Sequence, residues 1–394
     1  MKTNKQNIVI VGGCGHVGIP LGLALAYKGH DIYLLDINQK AVNSINEGKL
    51  PFFEEGAEEI LKNHSGKNLF ATTDANLIKK ADIVFFVTGT PVDEHHNPQV
   101  HDVLKVIETY LPYLSKNTLV ILRSTIYPGV MEIVDYQLRK YLGSCRLAFC
   151  PERIVQGHGI TEIFSLPQLV SATSPEAEDA AAELFSTIAP KIIRLSPKEA
   201  EVAKLMTNSW RYLEFAIANQ FYMMIEEQGL NFYKIFDALR DDYPRAKHYV
   251  RPGLAAGPCL FKDTMQLSAF HKSHFFLGQS AMLVNEGLPV FLADQMEKLL
   301  GGSLKGKQIA ILGMTFKPNN DDIRESLSFK LKKVLEIRLA SVIPSDVFLK
   351  ETVEMNEAIK KADGIILGVP HKEYIKLDIK KPYVDCWGVW RSRL

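Results

Sequence analysis

The stretch NIVIVGGCGHVG, residues 7–18, decides the fold. Its apolar start, residues 7–11, predicts a short buried strand, and Gly13, Gly15 and Gly18 then open an apolar helix in GxGxxG spacing. In this context we expect the first glycine to permit the sharp turn, the second to let the backbone approach a pyrophosphate, and the third to let helix and strand pack closely. Amides at the helix N-terminus, near Val17, would then face the phosphates.

An acidic residue completes this predicted dinucleotide site. A second predicted strand, residues 31–35, ends at Asp36, eighteen residues after Gly18. A carboxylate there can hydrogen-bond the ribose hydroxyls of NAD and would repel the extra phosphate of NADP. Lys40 either contacts the adenosine phosphate or is a solvated helix residue. The pattern predicts a nicotinamide dinucleotide, NAD, or a flavin dinucleotide as cofactor, and a glycine-rich turn without cofactor is the alternative.

Composition limits the partners of the chain. The 394 residues suggest two or three domains, and 46% hydrophobic with 23% charged residues is typical of a soluble protein. A formal charge of +1 gives no field that would recruit nucleic acid or anionic lipid, so a small polar ligand is expected. Five cysteines without a CxxC pair, and no secretory signal, favour the cytoplasm. No metal site is predicted. The uncharged stretch 8–27 is interpreted as strand, turn and helix and not as a membrane span.

Further strands are predicted at 83–87, 119–122 and 147–150. A polar cluster follows each of them, and these clusters contain Thr90, Thr125 and Glu152 respectively. In a parallel sheet the ligand crevice lies beside the carboxyl ends of the strands. The clusters therefore either line a crevice or cap the helices that follow.

The end of the chain repeats the pattern of its beginning. Residues 307–313 resemble the first strand, and 360–367 echo 79–86. The second copy lacks GxGxxG and continues into a polar segment with Lys317 and Arg324. This segment either holds a phosphate-bearing ligand or is a charged loop before a capped helix. The prediction is an α/β protein with two Rossmann-like halves flanking a long helix.

That helix has a strong start signal at Ser196, Pro197 and Glu199, and no breaker before residue 229. About 32 residues would span about 48 Å, which is long enough to bridge domains or subunits. Its predicted buried stripe comprises residues 202, 205, 206, 213, 217, 221 and 224. Lys204 and Asn208 lie four apart on one face, where they could meet one substrate oxygen, although a helix lysine is more often solvated.

The segment GLAAGPCLFKD, residues 253–263, places Cys259 beside Lys262, which could favour its thiolate. A structural thiol is one interpretation. Combined with NAD, a thiol can also attack an aldehyde to give a thiohemiacetal, which loses a hydride to leave a thioester that water cleaves. Such a site would take an alcohol to a carboxylic acid.

Taken together, these motifs resemble the UDP-glucose/GDP-mannose dehydrogenase family of NAD-dependent nucleotide-sugar 6-dehydrogenases along essentially the whole chain. The matching segments are 13–18, Thr90-Pro91, Ser124-Thr125, 150–153, Glu201 with Lys204 and Asn208, 257–263, and 315–326. The resemblance implies an NAD-binding domain at 1–195, a helical dimerisation domain at 196–300 and a UDP-sugar-binding Rossmann-like domain at 301–394. It also implies a homodimer.

The resemblance also implies roles for single residues. Cys259 would be the nucleophile, Lys204 and Asn208 would steady the oxyanion, and Asp263 would assist water or orient the lysine. Thr125 would hold an ordered water, and Glu152 would act in acid/base catalysis. Substrate contacts are implied for Glu152, Lys204, Asn208, Lys317 and, from a neighbouring subunit, Arg245. Cofactor or substrate contacts are implied for Thr90, Thr125, Lys262 and Arg324.

Three residues depart from the family pattern, which affects the expected shape of the loop before Cys259 and places more of the hydrolysis role on Glu152 or Asp263. Leu254 and Ala256 stand where many relatives have glycine, and Gln156 stands where glucose-specific relatives have a glutamate. The Pro-Glu-Arg sequence at 151–153 is more similar to enzymes for UDP-N-acetylhexosamines, such as UDP-N-acetylmannosamine. The expected reaction is oxidation of the C6 hydroxyl to a uronate with two NADH per sugar. The alternatives are UDP-glucose as substrate, a single-step dehydrogenase, and a non-catalytic sugar-nucleotide-binding protein.

Overall fold

A computed structural model describes residues 5–89, 92–93, 98–254, 257 and 259–390. They form two compact units, Met1–Met206 and Thr207–Leu394. Each unit contains a largely parallel sheet with helices, so the predicted α/β class is confirmed.

The first unit is built on one eight-stranded sheet in the order β3-β2-β1-β4-β5-β6-β7-β8. Every neighbouring pair is parallel except β6 with β7. The order 3-2-1-4-5-6 of its first six strands is that of a doubly wound dinucleotide-binding sheet. Its elements are β1 (Asn7–Val11), α1 (Gly18–Tyr27), β2 (Asp31–Leu35), α2 (Gln39–Asn46), α3 (Ala57–His64), β3 (Leu69–Thr72), β4 (Ile83–Phe86), α4 (Val100–Tyr110), β5 (Leu119–Leu122), α5 (Val130–Leu142), β6 (Arg146–Phe149), α6 (Gly159–Ser165), β7 (Gln168–Ala172), α7 (Pro175–Ser186), β8 (Ile192–Arg194) and the start of α8 (Pro197–Glu227).

Both faces of this sheet are covered. Side chains of β1 alternate between two apolar clusters, with Ile8 and Ile10 in one and Val9 and Val11 in the other. A parallel sheet buried on both sides reads as a continuous apolar run, which explains why residues 8–27 imitate a membrane span in sequence. Among the helices of the described residues, none is long and apolar enough to cross a membrane.

The second unit has a four-stranded parallel sheet in the order β10-β9-β11-β12. Helices precede the sheet in the chain and alternate with its strands. Its elements after α8 are α9 (Phe232–Arg240), α10 (Leu260–Phe270), α11 (Phe276–Leu299), β9 (Gln308–Leu312), α12 (Leu327–Ile337), β10 (Ser341–Ser345), α13 (Met355–Lys361), β11 (Gly364–Leu367) and β12 (Tyr383–Val384).

The repeat predicted from sequence is present in the hydrogen bonds. Asp82, just before β4, accepts the backbone N–H of Asn7 at 2.8 Å. Asp363, just before β11, accepts that of Gln308 at the same distance. In each case one aspartate fixes the start of the central strand against its neighbour, so the prediction of two related halves is confirmed.

Helix α8 has 31 residues, as its start and stop signals predicted. The Ser196 backbone N–H and hydroxyl both donate to Glu199, at 2.8 and 2.6 Å, so the glutamate satisfies the N-cap backbone N–H as it does in a capping box. The predicted buried stripe was wrong at four of its seven members, because Met206, Ile217, Phe221 and Met224 are exposed in the single chain. The buried face instead carries Leu205, Asn208, Tyr212, Ala216, Asn219 and Tyr222.

Candidate active site

The glycine-rich turn after β1 differs in one detail from the prediction. The residue with positive φ is Gly12, at +77°, so the turn depends on Gly12 and not on Gly13. Gly13 is required for a different reason, since a Cβ there would lie 2.7 Å from the Leu34 Cα of β2. The backbone of the turn therefore packs closely against β2.

Gly15 and Gly18 behave as predicted for a phosphate-binding turn. A Cβ at Gly15 would meet protein only at 3.6 Å, so the space beside its backbone is open to a ligand. A Cβ at Gly18 would lie 2.4 Å from the Gly13 carbonyl oxygen, which keeps α1 close to the turn.

Gly18→Ala is expected to destabilise the protein by about 1–3 kcal/mol and to weaken NAD binding, because backbone atoms block the added methyl group. Gly15→Ala is the matched control. It should leave the unfolding temperature near that of the wild type and weaken NAD binding alone. Thermal unfolding with NAD titration checks this, and equal destabilisation by both variants would contradict the packing argument.

The strand-end carboxylate is held in place by the turn. Asp36 accepts the backbone N–H of Cys14 and that of Asn38, each at 3.0 Å. Burial, and then the charge of Asp36, raises the pKa of the Cys14 thiol to about 12, so this thiol stays protonated. Lys40 is exposed in the first turn of α2. The open backbone at Gly15 and the acid at the end of β2 fit the phosphates and ribose of NAD.

Thr90 lies outside the described residues, as do Pro91, Ala256 and Pro258. Thr125 and Glu152 follow β5 and β6 at the carboxyl edge of the sheet, where the sequence predicted them. Thr125 is half-buried.

Glu152 is buried in an ion pair that sequence reasoning missed. Its Oε2 accepts from the guanidinium of Arg123, which is only 1% exposed, and its Oε1 accepts the backbone N–H groups of Arg153 and Ile154 at 2.8 and 3.1 Å. The same guanidinium donates to Gln168 Oε1 at 3.0 Å. The acid/base role of Glu152 stays a prediction, and it would have to operate within this pair.

Glu201 and Lys204 lie on the first turns of α8 and are both buried. Glu201 accepts the backbone N–H groups of Gly129 and Met131, at 2.7 and 2.9 Å, and so caps α5. Burial raises the pKa of Glu201, and these two hydrogen bonds oppose that effect. The glutamate of the motif thus anchors the helix that carries Lys204.

In the second unit, Cys259 is exposed at the N-terminus of α10, whereas the other four cysteines are buried. One turn later lies Asp263, which is 0% exposed. Its Oδ2 accepts from the Asn208 amide at 2.6 Å, and the Lys262 Nζ lies 3.5 Å from its Oδ1. The structure therefore brings together four of the residues predicted from sequence.

The polar segment 315–326 also reaches the cysteine. The hydrogen bonds that the Arg324 guanidinium donates to Asp322 raise its pKa, and the charges of Asp322 and Cys259 add to the shift. Gly257 donates its backbone N–H to the Glu325 carbonyl at 3.3 Å, and a Cβ at Gly257 would lie 2.5 Å from the Phe316 ring. A guanidinium near a thiol favours its thiolate form.

A buried pair fixes the beginning of this segment. His371 Nδ1 accepts the Asn319 backbone N–H at 2.9 Å, and its Nε2 lies 3.1 Å from Asp346 Oδ2. Burial would raise the pKa of Asp346, but the hydrogen bonds that it accepts, first from His371 and then from the Met314 and Phe348 backbone N–H groups, lower it. Lys317 lies half-buried in the segment, with its carbonyl accepting from Thr315 at 3.0 Å.

Arg245 lies in an exposed 3-10 turn. Its Nε donates to the Tyr243 hydroxyl at 2.7 Å, and its guanidinium lies 5.0 Å from the centre of that ring. A role toward the substrate of a second subunit stays a prediction.

The strand order, glycine turn and strand-end acid of the first unit are those of an NAD-dependent dehydrogenase. Three family models specify it further: the NAD-binding domain matches residues 6–189, the central domain 198–286 and the UDP-binding domain 310–391. The chain belongs to the UDP-glucose/GDP-mannose dehydrogenase family. The resemblance noted in the sequence is confirmed, and so are NAD as cofactor and the class of nucleotide-sugar dehydrogenase.

Proteins similar to this chain are named for different sugar substrates. The chain is 30% identical over 392 residues to UDP-N-acetyl-D-mannosamine dehydrogenase of Methanocaldococcus jannaschii, covering 96% of this chain and 89% of that protein. It is 26% identical to UDP-glucose 6-dehydrogenase of Bacillus subtilis, covering 92% and 87%. The solved UDP-glucose dehydrogenase of Pyrobaculum islandicum is 25% identical with a TM-score of 0.90, covering 99% and 96%.

Proposed function

We propose that the protein oxidises the C6 hydroxyl of a UDP-N-acetylhexosamine, such as UDP-N-acetylmannosamine, to the uronic acid in two steps at Cys259. The main support is the arrangement in the second unit, where an exposed cysteine begins α10 and Asp263 binds Asn208 one turn later at 2.6 Å. The UDP-binding domain of the family model supports a UDP-linked substrate.

In this reaction, the cofactor and each residue of the candidate site have a separate role. NAD, when bound, accepts a hydride from C6 in each of the two oxidations. The Cys259 thiolate adds to the intermediate aldehyde, and the thioester formed on its sulfur is cleaved by water to release the uronate and restore the thiol. Asn208 and Lys204 would donate to the oxyanion at C6, and Asp263 would hold the Asn208 amide in position or accept a proton from the attacking water.

Two observations support the acetamido sugar over glucose. The relative at 30% identity is named for N-acetylmannosamine, and Gln156 replaces the glutamate typical of glucose-specific enzymes. UDP-glucose is the second candidate because similar proteins also carry that name.

A panel of UDP- and GDP-sugars, scored by NADH per sugar and by product mass, tests the proposal. Two NADH and a uronate from a UDP-N-acetylhexosamine are expected. One NADH per sugar together with an aldehyde as product would support a single-step dehydrogenase. Binding without any NADH would support a non-catalytic sugar-nucleotide-binding protein.

We also propose that the chain acts in the cytoplasm as a homodimer formed through the central helices. On α8, the side chains of Trp210, Ile217, Phe221 and Met224 are 65%, 49%, 44% and 52% exposed in the single chain. Their spacing of seven, four and three residues makes one apolar stripe along the helix. A contiguous apolar stripe of this kind is typical of a protein interface.

The double variant Trp210→Glu/Phe221→Glu is expected to be monomeric, because two charges would have to be buried in the proposed interface. Light scattering coupled to gel filtration measures this. Gln220→Glu adds a charge at an exposed polar position of the same helix and should remain dimeric. A monomeric wild type, or a dimeric double variant, would contradict the proposed interface.

A further inference from the structure

The backbone at Gly253, six residues before Cys259, makes two hydrogen bonds to one side chain of α8, that of Asn219. The side-chain carbonyl oxygen of Asn219, Oδ1, accepts the Gly253 backbone N–H at 2.8 Å, and its side-chain NH₂ group donates to the Gly253 backbone carbonyl at 3.1 Å. Two opposed hydrogen bonds from one amide fix both the position and the orientation of a peptide. Asn219 is itself 0% exposed, and its amide also donates to Asn285 at 2.9 Å.

An indole ring also packs against Gly253. A Cβ at Gly253 would lie 2.3 Å from the Trp387 ring, so that ring packs directly on the glycine. The ring is held in turn by its Nε1, which donates to the Gly368 carbonyl at 2.9 Å. Arg251, two residues earlier in the chain, donates to the Trp387 carbonyl at 3.3 Å. Gly253 therefore contacts both an amide and an indole, and the indole leaves no room for a side chain at this position.

The other end of the segment 253–263, here called the cysteine segment, is held by the same helix. Asn208, which binds Asp263 at 2.6 Å, is eleven residues before Asn219. Eleven residues make about three helical turns, so both amides lie on one face of α8, about 16 Å apart along its axis. The buried face of α8 thus carries two asparagines that tie the two ends of the segment containing Cys259.

We infer that Asn219 is a positioning residue which, together with Trp387, fixes the entry of the cysteine segment and thereby the placement of the Cys259 sulfur. This inference rests on the proposed function, in which that sulfur is the nucleophile. An error of about 1 Å in the position of a reacting group can cost about 100-fold in rate. A side-chain amide is suited to this task because it binds both polar groups of a peptide and carries no charge that would alter the thiolate nearby.

The test compares Asn219→Ala with Ser209→Ala. Ser209 is also buried on α8, and its hydroxyl has no hydrogen-bond partner among the described residues. For Asn219→Ala we expect kcat to fall by about 10- to 100-fold while the KM for NAD stays within about twofold. Alkylation of Cys259 by iodoacetamide, measured on its peptide well below the unfolding temperature, should slow in the same variant. Ser209→Ala should change neither quantity.

Trp387→Phe is the second variant, because it keeps an aromatic side chain but removes the bond to Gly368 and the outer indole ring that packs on Gly253. It should lower kcat and the alkylation rate in the same direction by a smaller factor, and it covers the case in which Asn219→Ala does not fold. Unchanged kcat and alkylation rate in a folded Asn219→Ala, or in Trp387→Phe if the former is unfolded, would overturn the inference.

Cys259→Ser, measured in parallel, separates this inference from the proposed function. If Cys259→Ser retains full uronate formation, the proposed function fails. If Cys259→Ser is inactive while the folded Asn219→Ala and Trp387→Phe variants behave as the wild type, only the positioning role of Asn219 fails.

Discussion

Cys259→Ser is expected to lower uronate formation by about 1,000-fold or more, because a serine hydroxyl is not ionised near neutral pH and cannot replace the thiolate as nucleophile. The first oxidation needs no covalent bond to the enzyme, so the variant should stall there or at a slowly hydrolysed hemiacetal. Single-turnover experiments should then yield about one NADH per sugar in place of two. NADH absorbance and product mass report both quantities.

Cys145→Ser is the matched control for this prediction. The Cys145 thiol donates to Asp135 at 3.2 Å, and a serine hydroxyl can make the same bond. Burial raises the pKa of Cys145 to about 12, so this thiol is protonated and is no nucleophile. Wild-type yield and stoichiometry are expected from Cys145→Ser. The same result from Cys259→Ser would exclude the thioester pathway.

Asp263→Asn is expected to lower kcat by about 100- to 1,000-fold. The carboxylate is fully buried between the Asn208 amide and the Lys262 ammonium group, at 2.6 and 3.5 Å. An asparagine can offer its carbonyl to Asn208, but it then turns an NH₂ group toward Lys262 and removes the charge that balances this lysine. If Asp263 acts on the attacking water, thioester enzyme should also accumulate, which intact-protein mass spectrometry detects.

Ser268→Ala, at a buried polar position further along α10, serves as the control for a general effect of core substitution. It should retain wild-type kcat with a small change in unfolding temperature. If Asp263→Asn loses activity only in proportion to its folded fraction, the carboxylate has a structural role alone.

Much of the fold was predictable because its signals are local. The strand at residues 7–11, the strand ending before Asp36 and the capping box at Ser196 all lie where the sequence placed them. Each is marked by a pattern within a few neighbouring residues, which spacing and residue type describe well. The candidate site was predictable for a related reason, since Cys259, Lys262 and Asp263 are neighbours in sequence and their chemistry is in their side chains.

The buried face of α8 was not predictable in this way. Counting apolar residues selected Ile217 and Phe221, yet the chain buries Asn208 and Asn219 and exposes the larger apolar side chains. A helix gives every residue the same backbone hydrogen bonds whichever face is inward. The choice therefore depends on partners elsewhere in the chain, here the Gly253 backbone and the Asp263 carboxylate.

By itself, the sequence determined the α/β class, the dinucleotide turn, the length of the central helix and the family to which the chain belongs. The tertiary structure decided which glycine makes the turn, that Glu152 is paired with Arg123, and that an indole 134 positions away in the chain closes over Gly253. The physical reason is the distance along the chain over which each kind of interaction acts. Backbone preference and periodicity act within a few residues, whereas the position of a buried polar group is set by partners that only folding brings within about 3 Å.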